Sequence, residues 1–519
     1  MDKPGQSAGN LSQNNRFLQA GLPEDFLFGV ANSGYQVEGG YNQPGCPHNN
    51  FAIWEQQGRV EPTGDACRFW DRYDEHIERA RSLGLNAFRL SIEWARVRPS
   101  PHNRPSPPPP IDEHAIDGYA SIITKIMDAR MAPIVTLHHF THPAWCGSDL
   151  WLQEGLACLF VSHATHVLTG LNERVIRRGK EPIKYLITLN EPNILPLATY
   201  IAGEHPRKRN GFGAARRALD NMLLAHVLLY DGIHELYEQK GWTRPVITFN
   251  TFCTAIYEFD RGFFDLMQAT SQGVRRTALR DYLARRRSVW NSTFADLATS
   301  RWGKWSFRRR YFLNYRFVCS LLFDLLYMRN TIDALYASKR KEKIDSIALD
   351  LYDPFVIGSL YIPSITSIKK HDPLLRPQWW DWHHDPEHFR TVLRAHHAGN
   401  PDLPIYIMET TIAHRQEKGG HPHPRRDGQG REDYLRWSIR EVLRAIHEGI
   451  PVKGYIYWSL TDNYEWGSYE PRLGLYEYDY ANGKILDRSG LGEEAGKFYG
   501  TIAAALRHGD AQQIERLLY

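Results

Sequence analysis

The sequence has few cysteines and no long hydrophobic run. Its 519 residues include six cysteines, none in a CxxC pair, which indicates buried thiols in a reducing setting rather than a disulfide framework. No run of about 18 apolar residues occurs, so the sequence predicts no transmembrane segment. The N-terminus, MDKPGQSAGNLSQNNRF, is polar and lacks the apolar core of a secretory signal. We therefore expect a cytoplasmic protein with a disordered polar tail over residues 1–21.

An excess of charge of one sign is also missing. Lys and Arg number 63 and Asp and Glu 59, which gives a net charge of +4. A dedicated nucleic-acid-binding protein needs a concentrated basic face, so this balance argues against nucleic acid as a partner. Aromatic residues are abundant, with 15 Trp and 27 Tyr. Most of them belong to the core, but aromatic rings also supply the flat faces on which sugars stack.

Short apolar runs bounded by turn residues recur along the chain. The eight runs are FLFGVAN (26–32), NAFRLSIEW (86–94), APIVTLHH (132–139), IKYLITLNEP (183–192), PVITFN (245–250), DSIALDLYDP (345–354), PIYIMET (404–410) and VKGYIYWSL (452–460). Amphipathic, helix-like stretches lie between most of them. This alternation predicts an α/β fold, a single (β/α)₈ TIM barrel over residues 22–519 with elaborated loops. A doubly wound sheet is the alternative, but no glycine-rich phosphate loop follows any run.

Two segments interrupt this alternation. The prolines of RPSPPPP (104–110) predict an extended surface loop, because proline fits neither a central strand nor a helix interior. A long insertion over about 255–343 exceeds what one connection and one helix need. It contains the apolar, arginine-flanked stretch YFLNYRFVCSLLFDLLYM, so we expect extra helices laid over the barrel mouth.

Polar residues follow the predicted strands at their C-terminal ends, where barrel enzymes carry their chemistry. In chain order they are Gln36, Glu38, Arg89, Glu93, His138, His139, Asn190, Glu191, Asp350, Tyr352, Glu409, Trp458, Asp462, Asn463, Glu465 and Trp466. Two of these carboxylates, Glu191 and Glu409, end the fourth and seventh runs. In a closed barrel, the ends of these two strands face each other across part of the mouth. Paired carboxylates flanking a sugar are what cleavage of a glycosidic bond requires.

Each of these residues also has a commoner structural explanation. A single Glu at a strand end is more often a helix cap or an ion-pair partner, and a single His in an apolar run is more often a bonded core residue. The runs HHDPEH and HPHP raise the possibility of a metal site, but their spacing fits no common zinc pattern, so we predict no metal. The coincidence of many such residues at successive strand ends favours a sugar site.

Several motifs together resemble glycoside hydrolase family 1, the β-glucosidase family. The segment TLNEPN (188–193) resembles the acid/base motif of that family, and FLFGVANSGYQVEGG resembles its N-terminal signature. Similar matches occur in GLNAFRLSIEWARVRP, in IVTLHHFTHP and in GYIYWSLTDNYEWGSYEPRLGLYEYDY. They extend from about residue 22 to 500 and keep the order of the family. The resemblance implies a (β/α)₈ barrel and a retaining β-glycosidase.

The resemblance also implies roles for individual residues. Glu191 is similar in position to the general acid/base and Glu409 to the nucleophile. Asn190 resembles the residue that holds the sugar 2-hydroxyl, and Arg89 and Tyr352 resemble the pair that contacts the nucleophile. Such a pair would keep the carboxylate of Glu409 ionised by lowering its pKa, whereas Glu191 needs a raised pKa to donate a proton.

The remaining implied contacts belong to the sugar itself. Gln36, His139, Glu465 and Trp466 resemble residues that bind its hydroxyls, and Trp458 resembles the platform under the ring. No metal or cofactor is implied. Family members acting on 6-phosphosugars replace the Glu-Trp pair, so its presence at 465–466 favours an unphosphorylated sugar.

The sequence also departs from the family pattern. The nucleophile stands in METT (408–411), where the family has Glu-Asn-Gly after a Thr. Asp350 occupies the position of a family Asn and adds a possible negative charge near the nucleophile. Phe140 replaces a Trp, and the insertion before residue 345 has lost the family pattern. We therefore expect an unusual site for the aglycone, the group bonded to the sugar.

Three functions remain open from the sequence. The first is a retaining exo-β-glycosidase that hydrolyses β-D-glucosides, with β-galactosides or β-fucosides as further substrates. The second is a transglycosidase that passes the sugar to an apolar or lipid-like alcohol, with contact at a membrane surface. The third is a non-catalytic sugar-binding protein. The sequence leaves the oligomeric state open.

Overall fold

The structure of the protein is a computed structural model. It describes residues 22–100, 108–302, 307–352, 386–417, 420–425 and 427–519. The predicted N-terminal tail lies outside these residues, as do the first four positions of RPSPPPP and the first three of HHDPEH. None of the described helices has an apolar stretch long enough to cross a bilayer.

Eight parallel strands form a closed barrel, which confirms the predicted fold. The strands are β1 (Leu27–Ala31), β2 (Ala87–Ser91), β3 (Ala132–Thr136), β4 (Tyr185–Asn190), β5 (Val246–Phe252), β6 (Ile347–Asp350), β7 (Ile405–Glu409) and β8 (Val452–Trp458). Each strand pairs with the next along the chain, and β8 returns to pair with β1. Two short antiparallel ribbons lie outside the barrel, His414–Arg415 with Pro471–Arg472 and Tyr478–Asp479 with Lys484–Ile485.

The near-continuous apolar character of the strands follows from burial on both faces. All five residues of β7 are buried. Inward-pointing side chains such as Ala87, Ile134, Ile187 and Met408 fill the barrel interior. Their neighbours point outward and pack against the surrounding helices in a separate, larger core. Alternation between two buried faces therefore explains why the runs lack polar residues until they reach the mouth.

Helices surround the barrel. Those of eight or more residues are α1 (Phe69–Ser82), α2 (Glu113–Asp128), α3 (Leu156–Arg177), α4 (Phe212–Lys240), α5 (Arg261–Gln268), α6 (Leu279–Trp302), α7 (Phe307–Leu322), α8 (Arg329–Ala337), α9 (Pro386–His397), α10 (Arg431–His447), α11 (Ala495–His508) and α12 (Ala511–Leu518). Shorter helical segments are Gly34–Val37, Ala52–Gln56, Trp94–Val97, Ala144–Cys146, Leu150–Leu152, Leu195–Leu197, Ala198–Ala202, Arg276–Ala278 and Leu325–Tyr327. The four helices α5 to α8 all belong to the one connection between β5 and β6.

Helix α11, near the C-terminus, crosses the seam where β1 meets β8. Tyr499, on α11, donates a hydrogen bond to the carbonyl oxygen of Gly29 in β1 at 2.8 Å. The same hydroxyl lies 3.3 Å from the carbonyl oxygen of Tyr455 in β8. Its ring stacks on Phe28 with 4.6 Å between the centroids. The last part of the chain thus joins the first strand to the last.

Candidate active site

The polar residues at the strand ends meet at one end of the barrel, around a central arginine. Arg89 of β2 is fully buried, and its Nη1 donates to Glu409 Oε1 at 2.5 Å. Its Nη2 donates to Asn190 Oδ1 at 2.6 Å, and its Nε donates to Thr136 Oγ1 at 3.1 Å. One guanidinium therefore orients groups from β3, β4 and β7 together.

Glu409 has two strong partners. Arg89 contacts one carboxylate oxygen, and the hydroxyl of Tyr352 donates to the other, Oε2, at 2.6 Å. The ring of Tyr352 stacks on Phe252, with 5.7 Å between the centroids. A carboxylate held on both oxygens has a fixed orientation, with its remaining lone pairs directed into the pocket.

Three carboxyl groups lie close together in this pocket. Each of Glu191, Asp350 and Glu409 has one oxygen within 4.8 Å of an oxygen on each of the others. Burial and the charges of Asp350 and Glu409 raise the pKa of Glu191 well above its usual range. Burial and the charge of Glu409 likewise raise the pKa of Asp350. This crowding favours the protonated form of Glu191, because one buried arginine cannot balance three negative charges.

Arg89 and Tyr352 each lower the pKa of Glu409, as expected, but they do not set the net direction of its shift. Burial raises the pKa of Glu409, although the charge of Arg89 and the hydrogen bonds from Arg89 and Tyr352 act against it. The sequence revealed the partners but not the depth of burial, and desolvation outweighs the partners here. Among the three carboxyls, Glu409 has the charged form that is best stabilised, since both of its oxygens accept hydrogen bonds.

Asn250, at the C-terminal part of β5, joins two of these groups and was missed from the sequence. Its Nδ2 donates to Asn190 Oδ1 at 2.7 Å and also contacts Asp350 Oδ2. Because Asn190 Oδ1 accepts from both Arg89 and Asn250, the amide nitrogen of Asn190 is left to donate. The run PVITFN ends on Asn250, so the strand-end rule applied to the fifth run would have found it.

The backbone of Glu191 is strained. Its φ is 40°, in the left-handed region that residues with a side chain rarely adopt. Its backbone N–H donates to the carbonyl oxygen of Asn250 at 3.1 Å, which ties this turn to the neighbouring strand. Such strain costs on the order of 1–3 kcal/mol and is concentrated at functional sites.

The residues after Glu409 are anchored by their hydroxyls. Thr410 Oγ1 donates to the carbonyl oxygen of Leu351 at 2.7 Å, and Thr411 Oγ1 lies 2.7 Å from the hydroxyl of Tyr457. Neither threonine has a positive φ. The turn therefore does not require glycine, and the departure at METT is accommodated by side-chain hydrogen bonds.

A second polar pair, Gln36 and Glu465, lies on another part of the pocket. Gln36 Nε2 donates to Glu465 Oε2 at 2.8 Å and lies 3.3 Å from Asn463 Oδ1. Ser33 donates to Gln36 Oε1 at 2.6 Å, which fixes the orientation of the amide. Burial and the charge of Glu409 raise the pKa of Glu465 to about 8. The pair can therefore offer both donors and acceptors to a polyhydroxylated ligand.

Aromatic rings form an apolar surface beside these polar groups. The imidazole of His139 lies between the rings of Trp458 and Trp466, with 5.6 Å and 5.7 Å between centroids and near-parallel planes. Burial and the charge of Arg89 lower the pKa of His139 well below its usual value, so the ring is neutral. The ring of Phe140 packs on that of Trp466, with 4.8 Å between the centroids. Stacked rings next to hydrogen-bonding groups match the two kinds of surface that a sugar presents.

Four strand-end residues from the sequence lie outside this constellation. Glu38 pairs with Arg96 at 2.8 Å, and Asp462 accepts from the backbone N–H of Gly474 at 3.0 Å. Glu93 accepts from the backbone of Ala95 at 3.3 Å, at the start of the short helix Trp94–Val97. The ring of His138 packs between Trp151 and Phe160. These residues have structural partners, as a single polar strand-end residue usually does.

Comparison with known proteins identifies the family. The family model described as glycosyl hydrolase family 1 matches residues 18–279 and 322–507. The chain belongs to glycosyl hydrolase family 1. The match to this glycosidase family leaves out the segment between residues 279 and 322, which corresponds to α6 and α7.

Relatives within glycosyl hydrolase family 1 carry several names. The chain is 27% identical to β-glucosidase A from Thermotoga maritima, over 90% of this chain and 95% of that protein. It is also 27% identical to 6-phospho-β-galactosidase 1 from Streptococcus pneumoniae, over 89% of this chain and 95% of that protein. A solved structure of the Thermotoga maritima β-glucosidase with galacto-hydroximolactam has a TM-score of 0.67 and 22% identity, and covers 94% of this chain and 99% of that one. This last likeness supports the fold.

Proposed function

We propose that the protein is a retaining β-glycosidase that hydrolyses unphosphorylated β-D-glucosides. The observation that carries the proposal is the carboxyl pair at the mouth. An oxygen of Glu191 lies within 4.8 Å of an oxygen of Glu409, and only Glu409 accepts hydrogen bonds from both Arg89 and Tyr352. Retaining enzymes hold their carboxyl groups about 5–5.5 Å apart, whereas inverting enzymes need about 6.5–9.5 Å to fit a water molecule.

The first step assigns different roles to the two carboxyls. Glu409, held by Arg89 and Tyr352, attacks the anomeric carbon through a carboxylate oxygen. Glu191, protonated because of its burial and its anionic neighbours, donates its proton to the departing glycosidic oxygen. The sugar is then esterified to Glu409, and the aglycone leaves as a neutral alcohol.

The second step reverses these roles. Esterification removes the negative charge of Glu409, and this charge is one of those that raise the pKa of Glu191. Glu191, now a carboxylate, takes a proton from water, and the water oxygen attacks the anomeric carbon. The ester bond breaks and Glu409 leaves as a carboxylate. Two inversions at the anomeric carbon give a product with the β configuration.

The sugar subsite is proposed from Gln36, Glu465, Asn190 and the stacked rings. Asn190 would donate to the 2-hydroxyl through the amide nitrogen that its internal contacts leave open. Gln36 and Glu465 would hold hydroxyls at the far end of the ring, with His139 donating alongside and Trp458 and Trp466 packing against its apolar surface. A carboxyl at this end gives no positive charge for a phosphate, which favours an unphosphorylated sugar over the substrates named for some relatives.

The stereochemistry of the first product tests the function. We expect NMR of p-nitrophenyl β-D-glucoside hydrolysis to show β-glucose first, followed by mutarotation to the α anomer, because two inversions restore the configuration. The α anomer as the first product would rule out the covalent mechanism. Absence of turnover across β-glucoside, β-galactoside and β-fucoside would favour the non-catalytic sugar-binding alternative.

A matched pair of substrates tests the sugar. We expect p-nitrophenyl β-D-glucoside to have a kcat/KM at least about 100-fold higher than its 6-phosphate, because the phosphate would bury charge beside Glu465. Steady-state kinetics on both substrates provides the measurement. Glu465→Gln is the matched variant, since it removes the carboxyl and keeps the shape of the side chain. It should reduce the ratio of kcat/KM between the glucoside and its 6-phosphate. A preference for the phosphorylated substrate would contradict the assignment.

Asp350 should set the alkaline limit of activity. Its negative charge raises the pKa of Glu191, and Glu191 must be protonated for the first step. Asp350→Asn keeps the shape and removes the charge, so Glu191 should lose its proton at lower pH. The alkaline limb of the kcat/KM profile then moves to lower pH, while the rate at the optimum changes by less than about tenfold. Asp333→Asn, a change at an exposed residue of α8, is the control. If the alkaline limb of the profile did not move in Asp350→Asn, Asp350 would not influence the pKa of Glu191.

A transglycosidase is the second candidate. The ring of Phe252 stacks on Tyr352 at the end of β5, which places an apolar surface beside the partner of Glu409. Such a surface could hold an alcohol that intercepts the glycosyl-enzyme in place of water. Product analysis with added butanol distinguishes hydrolysis from transglycosylation. A butyl glycoside as the main product would favour transglycosylation, and free glucose as the only sugar product would exclude it.

A further inference from the structure

An apolar and basic surface lies on the protein outside the sugar pocket. Of the nine large apolar or aromatic side chains that the structure describes as exposed, five belong to this surface. Their exposed fractions are 44% for Phe212, 65% for Phe317, 47% for Val318, 57% for Leu321 and 46% for Tyr327. We call this set the apolar face. Exposed side chains of this size are uncommon in such concentration on a soluble surface without a binding role.

The apolar face is continuous between the insertion and α4. Phe212 begins α4, and its ring lies 6.0 Å from that of the buried Phe323, just beyond the end of α7. Arg216, one turn further along α4, places its guanidinium 4.8 Å from the ring centroid of Tyr327. Phe317 and Val318 lie four and three residues before Leu321 on α7, so each of them neighbours Leu321 on the helix surface.

Basic residues are concentrated in two stretches of the sequence. Between Glu204 and Asp220 there are five basic and no acidic residues, and between Asp296 and Asp324 there are six basic and no acidic residues, although Arg316 of the second stretch is buried. The whole chain carries only +4, so the remainder has more acidic than basic residues. In the first segment, Lys208, Arg209 and Arg217 are exposed beside Phe212.

This surface lies at the mouth end of the barrel. α4 follows the C-terminal end of β4, and the insertion follows the C-terminal end of β5, so the first residues of α4 and the turn after α7 both border the mouth. The hairpin of α6 and α7 is also the part of the chain that the family model leaves out. Phe317, Val318 and Leu321 therefore lie outside the residues that match the family, whereas Phe212 and Tyr327 lie within them.

We propose that the apolar face and the exposed Lys208, Arg209 and Arg217 beside it dock the protein on an anionic lipid surface. Aromatic and aliphatic side chains can enter the boundary between headgroups and acyl chains, while Lys and Arg beside them attract acidic headgroups. Nucleic acid would use the positive charge but would gain nothing from exposed Leu321 and Val318. Docking in this way brings the barrel mouth close to the lipid surface. The proposal concerns binding alone and does not depend on the proposed function.

Flotation of the full-length protein with vesicles tests the proposal. We expect binding to vesicles of phosphatidylcholine with about 30% phosphatidylglycerol, weaker binding to pure phosphatidylcholine, and loss of binding in high salt. Phe317→Ser with Leu321→Ser, and separately Lys208→Glu with Arg209→Glu, should each weaken binding at least about tenfold. Hydrolysis of a soluble aryl β-glucoside should be unchanged in both variants, which also shows that they fold.

Matched changes at the other end of the barrel provide the control. Ile176 is 37% exposed near the end of α3, next to Arg177. Ile176→Ser with Arg177→Glu should leave vesicle binding unchanged. Equal weakening by this control, or equal binding to neutral and anionic vesicles, would overturn the proposal. It would also fail if light scattering showed a dimer that Phe317→Ser with Leu321→Ser converts to a monomer, or if the protein bound oligonucleotides and not vesicles.

Discussion

Glu409→Gly should lower the hydrolysis of p-nitrophenyl β-D-glucoside by roughly 10⁴-fold or more, because it removes the atom that forms the glycosyl-enzyme. The loss should appear in kcat, since the sugar contacts of Gln36, Glu465 and the rings remain. Steady-state kinetics on the purified variant provides the measurement. Burst kinetics should show no trapped intermediate.

Azide makes this prediction specific. The cavity left by Glu409→Gly can admit azide, which should attack the anomeric carbon from the vacated side and give an α-glycosyl azide. Restored turnover with that product would confirm both the position and the role of Glu409. Glu470→Gly is a suitable control, because Glu470 pairs with Arg415 rather than with a residue of the carboxyl cluster. A wild-type rate in Glu409→Gly would refute the assignment of the nucleophile.

The loss of rate caused by Glu191→Ala should depend on the leaving group of the substrate. Proton donation by a positioned acid contributes roughly 10²–10⁴-fold, so alkyl glucosides, whose leaving groups need a proton, should lose about this much in kcat/KM. A 2,4-dinitrophenyl glucoside needs no such proton and should keep a near-normal first step. Its second step should slow, because water has lost its base, and the glycosyl-enzyme should accumulate.

Azide also distinguishes the roles of the two carboxyls. With Glu191→Ala, azide should attack the glycosyl-enzyme and give a β-glycosyl azide, the opposite configuration to that from Glu409→Gly. NMR of the two products therefore assigns both roles in one experiment. Equal losses for alkyl and dinitrophenyl glucosides would contradict the role of Glu191 as acid. Glu191→Gln should follow Glu191→Ala in rate but admit azide less readily, because it leaves less space.

The fold could be predicted from the sequence because a parallel barrel leaves a strong pattern. Strands buried on both faces appear as apolar runs, and each ends where polar residues enter the mouth, as IYIME does at Glu409. The arrangement of the insertion could not be predicted in this way. The exposed side of α7, with Phe317 and Leu321, follows the sequence pattern of a buried helix, since exposure depends on what packs against it.

The site was predictable by residue type and position, but its electrostatics were not. Arg89 and Tyr352 do contact Glu409. Burial nevertheless raises its pKa, and that depends on atoms from many segments. Asp350 appeared in the sequence as an added charge, whereas its closeness to Glu191 is a matter of barrel geometry. Glu38 and Glu93 show the converse, because a polar residue near a strand end can face a structural partner instead of the mouth.

The seam between β1 and β8 has a consequence for how the protein is made. Ala31 pairs with Trp458, so the ends of the barrel join across most of the chain. Such long-range pairing folds slowly, since loop closure must precede the gain from contact. Tyr499, which bonds to Gly29, leaves the ribosome later still. During translation, one edge of β1 therefore stays unpaired until nearly the whole chain has emerged, and an unpaired strand edge is prone to aggregation for that interval.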